Sequence, residues 1–296
     1  MNDIILSSNY VEQIHQIFDQ LDVRDNTRYE YKHRIKHFIA YIECNGFDLN
    51  TLLAYKRALS ANEQYSIATK NKYLACARIF LREAHRIGIL PRDITSNVKC
   101  FQQNKKHKVD GINDYEAGLI CQWMKDNPER LRECALLSLL MFQGLRQAEI
   151  CNIRLTDVDL KARTLLILGK GRDDKEKVYL HPKTVSYVRR YARVCRLSDD
   201  NYLFTSNRAK SSCVRLTERG LQHIVKKVLD ELEISKTVHG FRHFYATRLI
   251  RSMPGELITV ARFTRHKSLE MLSIYNDSLL EEKDLTKYYS AFKNIA

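Results

Sequence analysis

No apolar run in this 296-residue sequence is long enough to span a bilayer, and its N-terminus lacks the basic flank of a signal peptide. The eight cysteines include no pair at CxxC spacing, and most of them lie in apolar helical contexts. This pattern is typical of reduced, buried thiols and argues against a disulfide framework or a zinc site. We therefore expect a soluble protein of the cytoplasm.

Motifs for metal and nucleotide chemistry are missing as well. The sequence has no HExxH, no GxxxxGK[ST] loop and no cluster of carboxylates that would hold a pair of metal ions. It also contains no internal repeat and no low-complexity tract. The sequence therefore predicts neither a metal site nor a bound cofactor.

The charge balance is strongly basic. The chain has 49 lysines and arginines against 35 acidic residues, which gives a net charge of +14 and a pI of about 9.4. An excess of this size over a folded chain usually indicates a polyanionic partner, and nucleic acid is the first candidate. A merely basic soluble protein is the alternative.

Hydrophobic periodicity divides the chain into two domains joined by a basic linker. Apolar residues at helical spacing predict four helices within residues 1–92, and the second of these ends at Asn45-Gly46. Residues 93–113 lose this periodicity and read as a linker. Residues 114–296 are mostly helical, with a β-hairpin formed by Thr164–Leu168 and Lys177–Leu180. We expect a mainly α protein: an all-α four-helix domain followed by a mixed α+β domain, mostly helical with a small antiparallel sheet.

Basic residues of the fourth helix and of the linker are candidates for contact with a DNA backbone. Each phosphate that they neutralise would release counterions and so favour binding. For any one of them, a solvated surface position is the alternative. The candidates are Lys70, Lys72, Arg78, Lys105, Lys106 and Lys108.

Attack on a phosphodiester without a metal needs fixed cations for the nonbridging oxygens, an acid for the leaving oxygen and an activated nucleophile. Arg146 and Arg242 are candidates for the cations, and Lys170, near the hairpin turn, for the acid. His239 and His266 are available for proton transfer and for hydrogen bonds to phosphate. Composition alone does not select the nucleophile among 16 tyrosines.

These residues and their surroundings resemble the motifs of the tyrosine recombinase (phage integrase) family, and the resemblance covers nearly the whole chain. The chain is similar to the simple two-domain recombinases of the Xer and Cre type. The resemblance implies that the all-α first domain is a core-binding, DNA-binding domain and that residues 114–296 are the catalytic domain. The matching motifs are Gly144-Leu145-Arg146 with Glu149, Gly169-Lys170-Gly171, His239-Gly240-Phe241-Arg242-His243, His266, and Tyr275 nine positions later.

The resemblance implies a role for each residue. Arg146 and Arg242 would hold the scissile phosphate, with a hydrogen bond from His266, while Tyr275 attacks and forms a 3′-phosphotyrosine. The remaining roles are proton donation to the 5′ oxygen by Lys170, proton transfer by His239, orientation of Arg146 by Glu149, and support from His243.

The resemblance also implies how the protein would assemble on DNA. Four protomers would exchange strands on double-stranded DNA through a Holliday junction without ATP, and accessory DNA-bending proteins could take part. The C-terminal helix would pack on a neighbouring protomer, or else fold back on its own domain.

One departure from the family pattern stands before the second histidine, where Thr264-Arg265 replaces the common Leu-Gly. We expect the backbone turn there to differ and Arg265 to add a DNA contact. Two other functions stay open. A type IB topoisomerase or telomere resolvase shares the chemistry, and a DNA-binding regulator without catalysis would share only the binding.

Overall fold

The computed structural model describes residues 16–103, 111–169, 174–194, 201–206 and 214–266, together with Ser268, Leu269, Leu272 and Ser290. The chain divides into two compact units, residues 1–105 and residues 106–296. Each unit has its own buried hydrophobic cluster. The described elements are mostly helices with one small antiparallel sheet, so the predicted fold class is confirmed.

All regular secondary structure described in the first unit is helical. Its three long helices are α1 (Asp25–Asn45), α2 (Thr51–Ala61) and α3 (Ile67–Arg86), and residues 16–19 before them are also helical. The earlier part of the predicted first helix lies outside the described residues. α1 stops at Gly46, whose φ of 77° is readily adopted only by glycine. The core of the unit is aromatic, with Phe38, Tyr55 and Phe80 almost completely buried.

The first unit extends past the domain boundary predicted at residue 92. Val98 belongs to its core, and the side-chain amide of Asn71 bonds both the N–H and the C=O of Phe101, at 2.9 and 3.0 Å. Arg78 donates a hydrogen bond to the carbonyl of Val98. These contacts from α3 order a segment that lacks hydrophobic periodicity. Because the sequence shows no periodicity there, the segment was predicted to be a linker.

Seven helices of the second unit are described. The central one, buried on nearly every face as predicted, is α5, which includes Leu136, Leu137 and Leu140 and packs against α7, α8 and α9. The helices are α4 (Asp114–Asp126), α5 (Leu131–Gln143), α6 (Gln147–Cys151), α7 (Pro182–Val194), α8 (Glu218–Glu231), α9 (Val238–Ser252) and α10 (Leu257–Thr264).

The sheet contains the predicted hairpin and one further strand. β2 (Thr164–Leu168) pairs antiparallel with β3 (Lys175–Tyr179), and Leu165 lies opposite Val178. A two-residue strand that was not predicted, β1 (Val158–Asp159), pairs on the other side of β2. Leu165 and Val178 are both buried and anchor the hairpin in the core of the unit.

Within the described ranges, none of the helices combines the length and apolar character needed to cross a bilayer.

Candidate active site

The candidate active site is built around a tight turn at Gly144. α5 ends there with Gly144 in the left-handed conformation, at φ 56° and ψ 34°. A Cβ added at this position would lie 2.3 Å from Cδ1 of Tyr245, so only glycine fits without a shift of its neighbours. The Gly144 carbonyl accepts hydrogen bonds from Nη1 of Arg242 at 2.7 Å and from Nη2 of Arg265 at 3.3 Å. The turn therefore links three separate stretches of chain.

Arg146 follows this turn and is fixed by Glu149. It has an extended backbone and directly precedes α6, in which Glu149 is the third residue. One carboxylate oxygen of Glu149 accepts the backbone N–H of Arg146 at 2.8 Å, and the other accepts Nη1 at 2.7 Å. Nη2 of Arg146 donates to the carbonyl of Arg265 at 3.4 Å. Both the backbone and the side chain of Arg146 are thus held in place.

The first turns of α9 supply the next three residues. Arg242 is 3 % exposed and donates to the carbonyls of Gly144 and Thr264. His243 is buried, whereas His239, one helical turn earlier, is exposed. The two imidazole rings meet edge to face with their centroids 4.8 Å apart. α9 therefore places the Arg242 guanidinium against the Gly144 turn and holds the two imidazoles together on the same helix.

His266 lies next to Arg242, just after α10. Its Nε2 is 3.4 Å from Nη2 of Arg242, and its Nδ1 is 2.7 Å from the hydroxyl of Thr264. That hydroxyl donates to the carbonyl of Val260 at 2.8 Å, so it accepts the proton of Nδ1. In this tautomer, Nε2 faces Arg242 as an acceptor.

The electrostatic surroundings keep His266 neutral. Burial lowers its pKa most, and the positive charges of Arg242, Arg146 and Arg265 lower it further, to about 3. Near pH 7, its imidazole is therefore available for hydrogen bonding without adding a charge to the site.

Arg265 does not lie where the sequence led us to expect. It ends α10 with φ 56° and ψ 43°, the left-handed conformation that glycine adopts most readily. It is 7 % exposed, and its guanidinium donates to the carbonyls of Gln143, Gly144 and Phe263 and to Glu149. The guanidinium is directed into the unit, against the expectation of a DNA contact.

Charges in the site do not cancel. Burial alone would raise the pKa of the Glu149 carboxyl, but Arg265 and Arg146 outweigh burial and lower it. Glu149 is therefore ionised and offsets one of the three positive charges of Arg146, Arg242 and Arg265. The excess positive charge suits a phosphodiester and, still better, the more negative transition state of its cleavage.

The β-hairpin reaches the neighbourhood of His266. A pocket of about 330 Å³ is lined by Glu176 of β3, by Ala261 of α10, and by Arg265, His266 and Leu269. The other predicted members of the site lie outside the described residues. These are Lys170 and Tyr275.

Predicted DNA-contacting residues of the first unit differ in their surroundings. Lys72 of α3 is exposed. Lys70 donates from Nζ to the carbonyl of Ser60 at 2.9 Å. Arg78 is bonded to the carbonyl of Val98 and so holds the end of its own unit. Three more candidates lie outside the described residues, namely Lys105, Lys106 and Lys108.

Sequence reasoning missed the Thr264 hydroxyl and assigned Arg265 to a DNA contact, although its guanidinium faces into the site. Their only sequence signal was the departure from Leu-Gly before His266. That signal marked the position but not the direction of either side chain, because the direction depends on how α10 packs against the end of α5.

Comparison with known proteins identifies the family of the chain. Residues 112–282 match the profile of the phage integrase family, and the chain belongs to that family. It is therefore a tyrosine recombinase, an enzyme of site-specific DNA recombination.

Curated relatives match along most of their own length. A tyrosine recombinase of Thermosipho africanus is 27 % identical over 268 residues, which cover 88 % of this chain and 91 % of that protein. The tyrosine recombinase XerD of Listeria monocytogenes is 25 % identical over 98 % of this chain and 99 % of its own.

Solved structures share the fold at lower identity. The XerH site-specific recombinase in a post-cleavage complex with palindromic difH substrate aligns at a TM-score of 0.71 and 19 % identity, over 97 % of this chain and 91 % of that one. The Tn1549 transposon integrase in complex with circular intermediate DNA aligns at 0.69 and 14 % identity, over 88 % and 94 % of the two chains.

Proposed function

We propose that this chain cleaves and rejoins DNA at a specific site through a 3′-phosphotyrosine formed on Tyr275. The observation that carries the proposal is that the Arg146 and Arg242 side chains both bond the turn at Thr264-Arg265. Nη1 of Arg242 bonds the Gly144 carbonyl, while Arg146 and Arg242 bond the successive carbonyls of Arg265 and Thr264. Two guanidiniums fixed in this way can hold the two nonbridging oxygens of one phosphate.

The chemistry balances without a metal or a nucleotide. The phenol oxygen of Tyr275 bonds to phosphorus as the bond from phosphorus to the 5′ oxygen breaks. His239 accepts the phenol proton, and Lys170 donates a proton to the departing 5′ oxygen. Charge that builds on the phosphate is met by Arg146 and Arg242. His266 would donate a hydrogen bond to it from Nε2 once its proton shifts from Nδ1 to Nε2, with the Thr264 hydroxyl then donating to Nδ1.

Rejoining reverses these steps on a different strand. The phosphotyrosine conserves the energy of the broken bond, so the 5′-hydroxyl of a partner duplex can displace Tyr275 and restore the phosphodiester without ATP. Two such exchanges pass through a Holliday junction and need four protomers. The C-terminal helix would join neighbouring protomers, and accessory DNA-bending proteins could assist.

DNA backbone contacts in this proposal come from the first unit and from the basic run that follows it. Lys72 is exposed and suited to a phosphate, and Lys70 lies two positions earlier on the same helix. Arg78 would contribute through its hold on Val98 as well as through its charge. The basic run supplies Lys105, Lys106 and Lys108.

The test begins with DNA fragments of the organism that encodes the chain. The purified protein is incubated with them in EDTA, covalent complexes are recovered in detergent, and the attached DNA is sequenced. We expect adducts concentrated at one sequence, formed as well in EDTA as in magnesium. A strict requirement for a divalent metal would contradict the proposed chemistry.

A second assay separates recombination from topoisomerase activity. Two plasmids that carry the trapped sequence should yield joint products and Holliday junctions only in the presence of the protein. Relaxation of supercoils without exchange between sites would favour the type IB topoisomerase alternative. Binding without any covalent adduct would favour the non-catalytic regulator.

A further inference from the structure

The inference concerns Arg265 and rests on the proposed function. Two features make this residue costly to the fold. Its φ of 56° places a side-chain-bearing residue in the left-handed region, which is less favourable than for glycine because Cβ crowds the following carbonyl. Its guanidinium is also almost completely buried, although a charge loses its hydration there. A residue in such an unfavourable conformation and environment is held there by the contacts that surround it.

Contacts of Arg265 reach the partners of both phosphate-holding arginines. Nη2 lies 3.3 Å from the Glu149 carboxylate oxygen that also accepts the backbone N–H of Arg146. The same nitrogen lies 3.3 Å from the Gly144 carbonyl, which accepts Nη1 of Arg242. The carbonyl of Arg265 accepts Nη2 of Arg146 at 3.4 Å.

Charge explains why a third arginine matters here. Glu149 and Arg146 alone would form a pair without net charge, held at 2.7 Å by Nη1 of Arg146 and one carboxylate oxygen. A neutral pair attracts a phosphate weakly, whereas the transition state of phosphodiester cleavage gains negative charge on its nonbridging oxygens. A second cation on the other carboxylate oxygen changes that balance.

We propose that Arg265 is a positioning residue for strand cleavage: it neutralises Glu149 from the buried side and thereby leaves the charge of Arg146 available to the scissile phosphate. Glu149 can then fix the geometry of Arg146 without cancelling its charge. The effect is larger in the transition state than in the bound substrate, because the phosphate becomes more negative between them.

The test uses the full chain and a nicked duplex carrying the sequence at which the wild-type protein is trapped on DNA. The rate of covalent adduct formation is measured in single turnover, and affinity for the duplex is measured separately. We expect Arg265→Met to slow adduct formation by about 10- to 100-fold while the dissociation constant changes by less than about threefold. Arg189→Met removes the same charge from an exposed position on α7 and should change neither quantity by more than about twofold.

A second substitution separates charge from structure. Adding Glu149→Gln to Arg265→Met removes the uncompensated carboxylate, while the amide oxygen still accepts the backbone N–H of Arg146. The double variant should form adducts at least about fivefold faster than Arg265→Met alone. A role confined to packing would not produce this recovery, since the double variant has lost one more native contact.

The role of Arg265 would be overturned if the Arg265→Met variant formed adducts at the wild-type rate. It would also be overturned if the double variant formed them no faster than Arg265→Met alone. If Arg265→Met does not fold, the comparison of wild type, Arg265→Lys and the double variant decides: the Arg265→Lys variant keeps a cation near Glu149 and should retain more activity than the double variant. Failure of the wild-type chain itself to form an adduct would instead overturn the proposed function.

Discussion

Three guanidiniums and one carboxylate determine the charge of the site, and each is fixed by atoms of its own unit. Arg242 is bonded to two backbone carbonyls, and Arg146 to Glu149 and one carbonyl. Their geometry is therefore set before DNA arrives, so little reorganisation is needed when the phosphate gains charge. His266 completes the group as a neutral imidazole.

The low pKa of His266 predicts a stability that depends on pH. In the folded chain the pKa is about 3, below the value of 6.5 for an unperturbed histidine, so the unfolded chain takes up a proton first as the pH falls. The contribution is fully present above about pH 6.5 and is lost gradually below it. After allowance for solvent screening, we expect it to account for about 1 kcal/mol of the unfolding free energy lost between about pH 7.5 and pH 5.

Urea denaturation at the two pH values measures this loss. His266→Asn should lose about 1 kcal/mol less than the wild type, since it has no imidazole to protonate. His223→Asn, at an exposed position of α8, is the control and should follow the wild type. Equal losses in wild type and His266→Asn would show that burial and the three arginines do not lower the pKa of His266 as described.

At the scale of elements, the site is built where two helices end. α5 ends at Gly144 and α10 ends at Arg265, both in the left-handed conformation, and the two residues are hydrogen-bonded to each other. α9 crosses beside them and contributes Arg242. The positions of the proposed catalytic side chains Arg146 and Arg242 thus depend on the geometry of these two turns.

The turn at Gly144 gives a prediction about stability. Gly144→Ala puts a residue with a Cβ at φ 56° and forces that Cβ against the ring of Tyr245, which must move. We expect the free energy of unfolding to fall by about 2–4 kcal/mol, and DNA cleavage to fall with the displaced Gly144 carbonyl.

The matched control is Gly118→Ala in α4. A Cβ at Gly118 meets nothing within 4 Å, and the position is helical, so this variant should gain about 0.5–1 kcal/mol. Both variants are measured by urea denaturation and adduct formation. A Gly144→Ala protein as stable as the wild type would contradict the turn geometry described for α5.

Sequence periodicity was sufficient to predict most elements but not the contacts between them. The apolar faces of α1, α3 and α5 are visible as spacing, and the hairpin of β2 and β3 as a change of period. The inward direction of Arg265 was not predictable, because it depends on carbonyls at the end of α5 that are distant in sequence. For the same reason, the bonds of Asn71 to Phe101 were missed, and with them the extent of the first unit.

At the scale of the whole molecule, the proposed catalytic residues and the exposed basic residues of the N-terminal part fall in different units. The second unit contains every described residue of the proposed catalytic group, from Arg146 to His266. The first unit has a separate core and exposed basic residues such as Lys72. A net charge of +14 over the chain favours association with a DNA backbone before any specific contact forms.

The central claim is that Tyr275 becomes covalently attached to DNA, and peptide mapping of the trapped adduct by mass spectrometry tests it most directly. In EDTA, the wild-type chain should carry the nucleotide on the peptide that contains Tyr275. Tyr275→Phe should bind the same duplex with similar affinity and form no adduct, because its side chain lacks the attacking oxygen. An adduct that persists in Tyr275→Phe and maps to Tyr288 or Tyr289 would contradict the account.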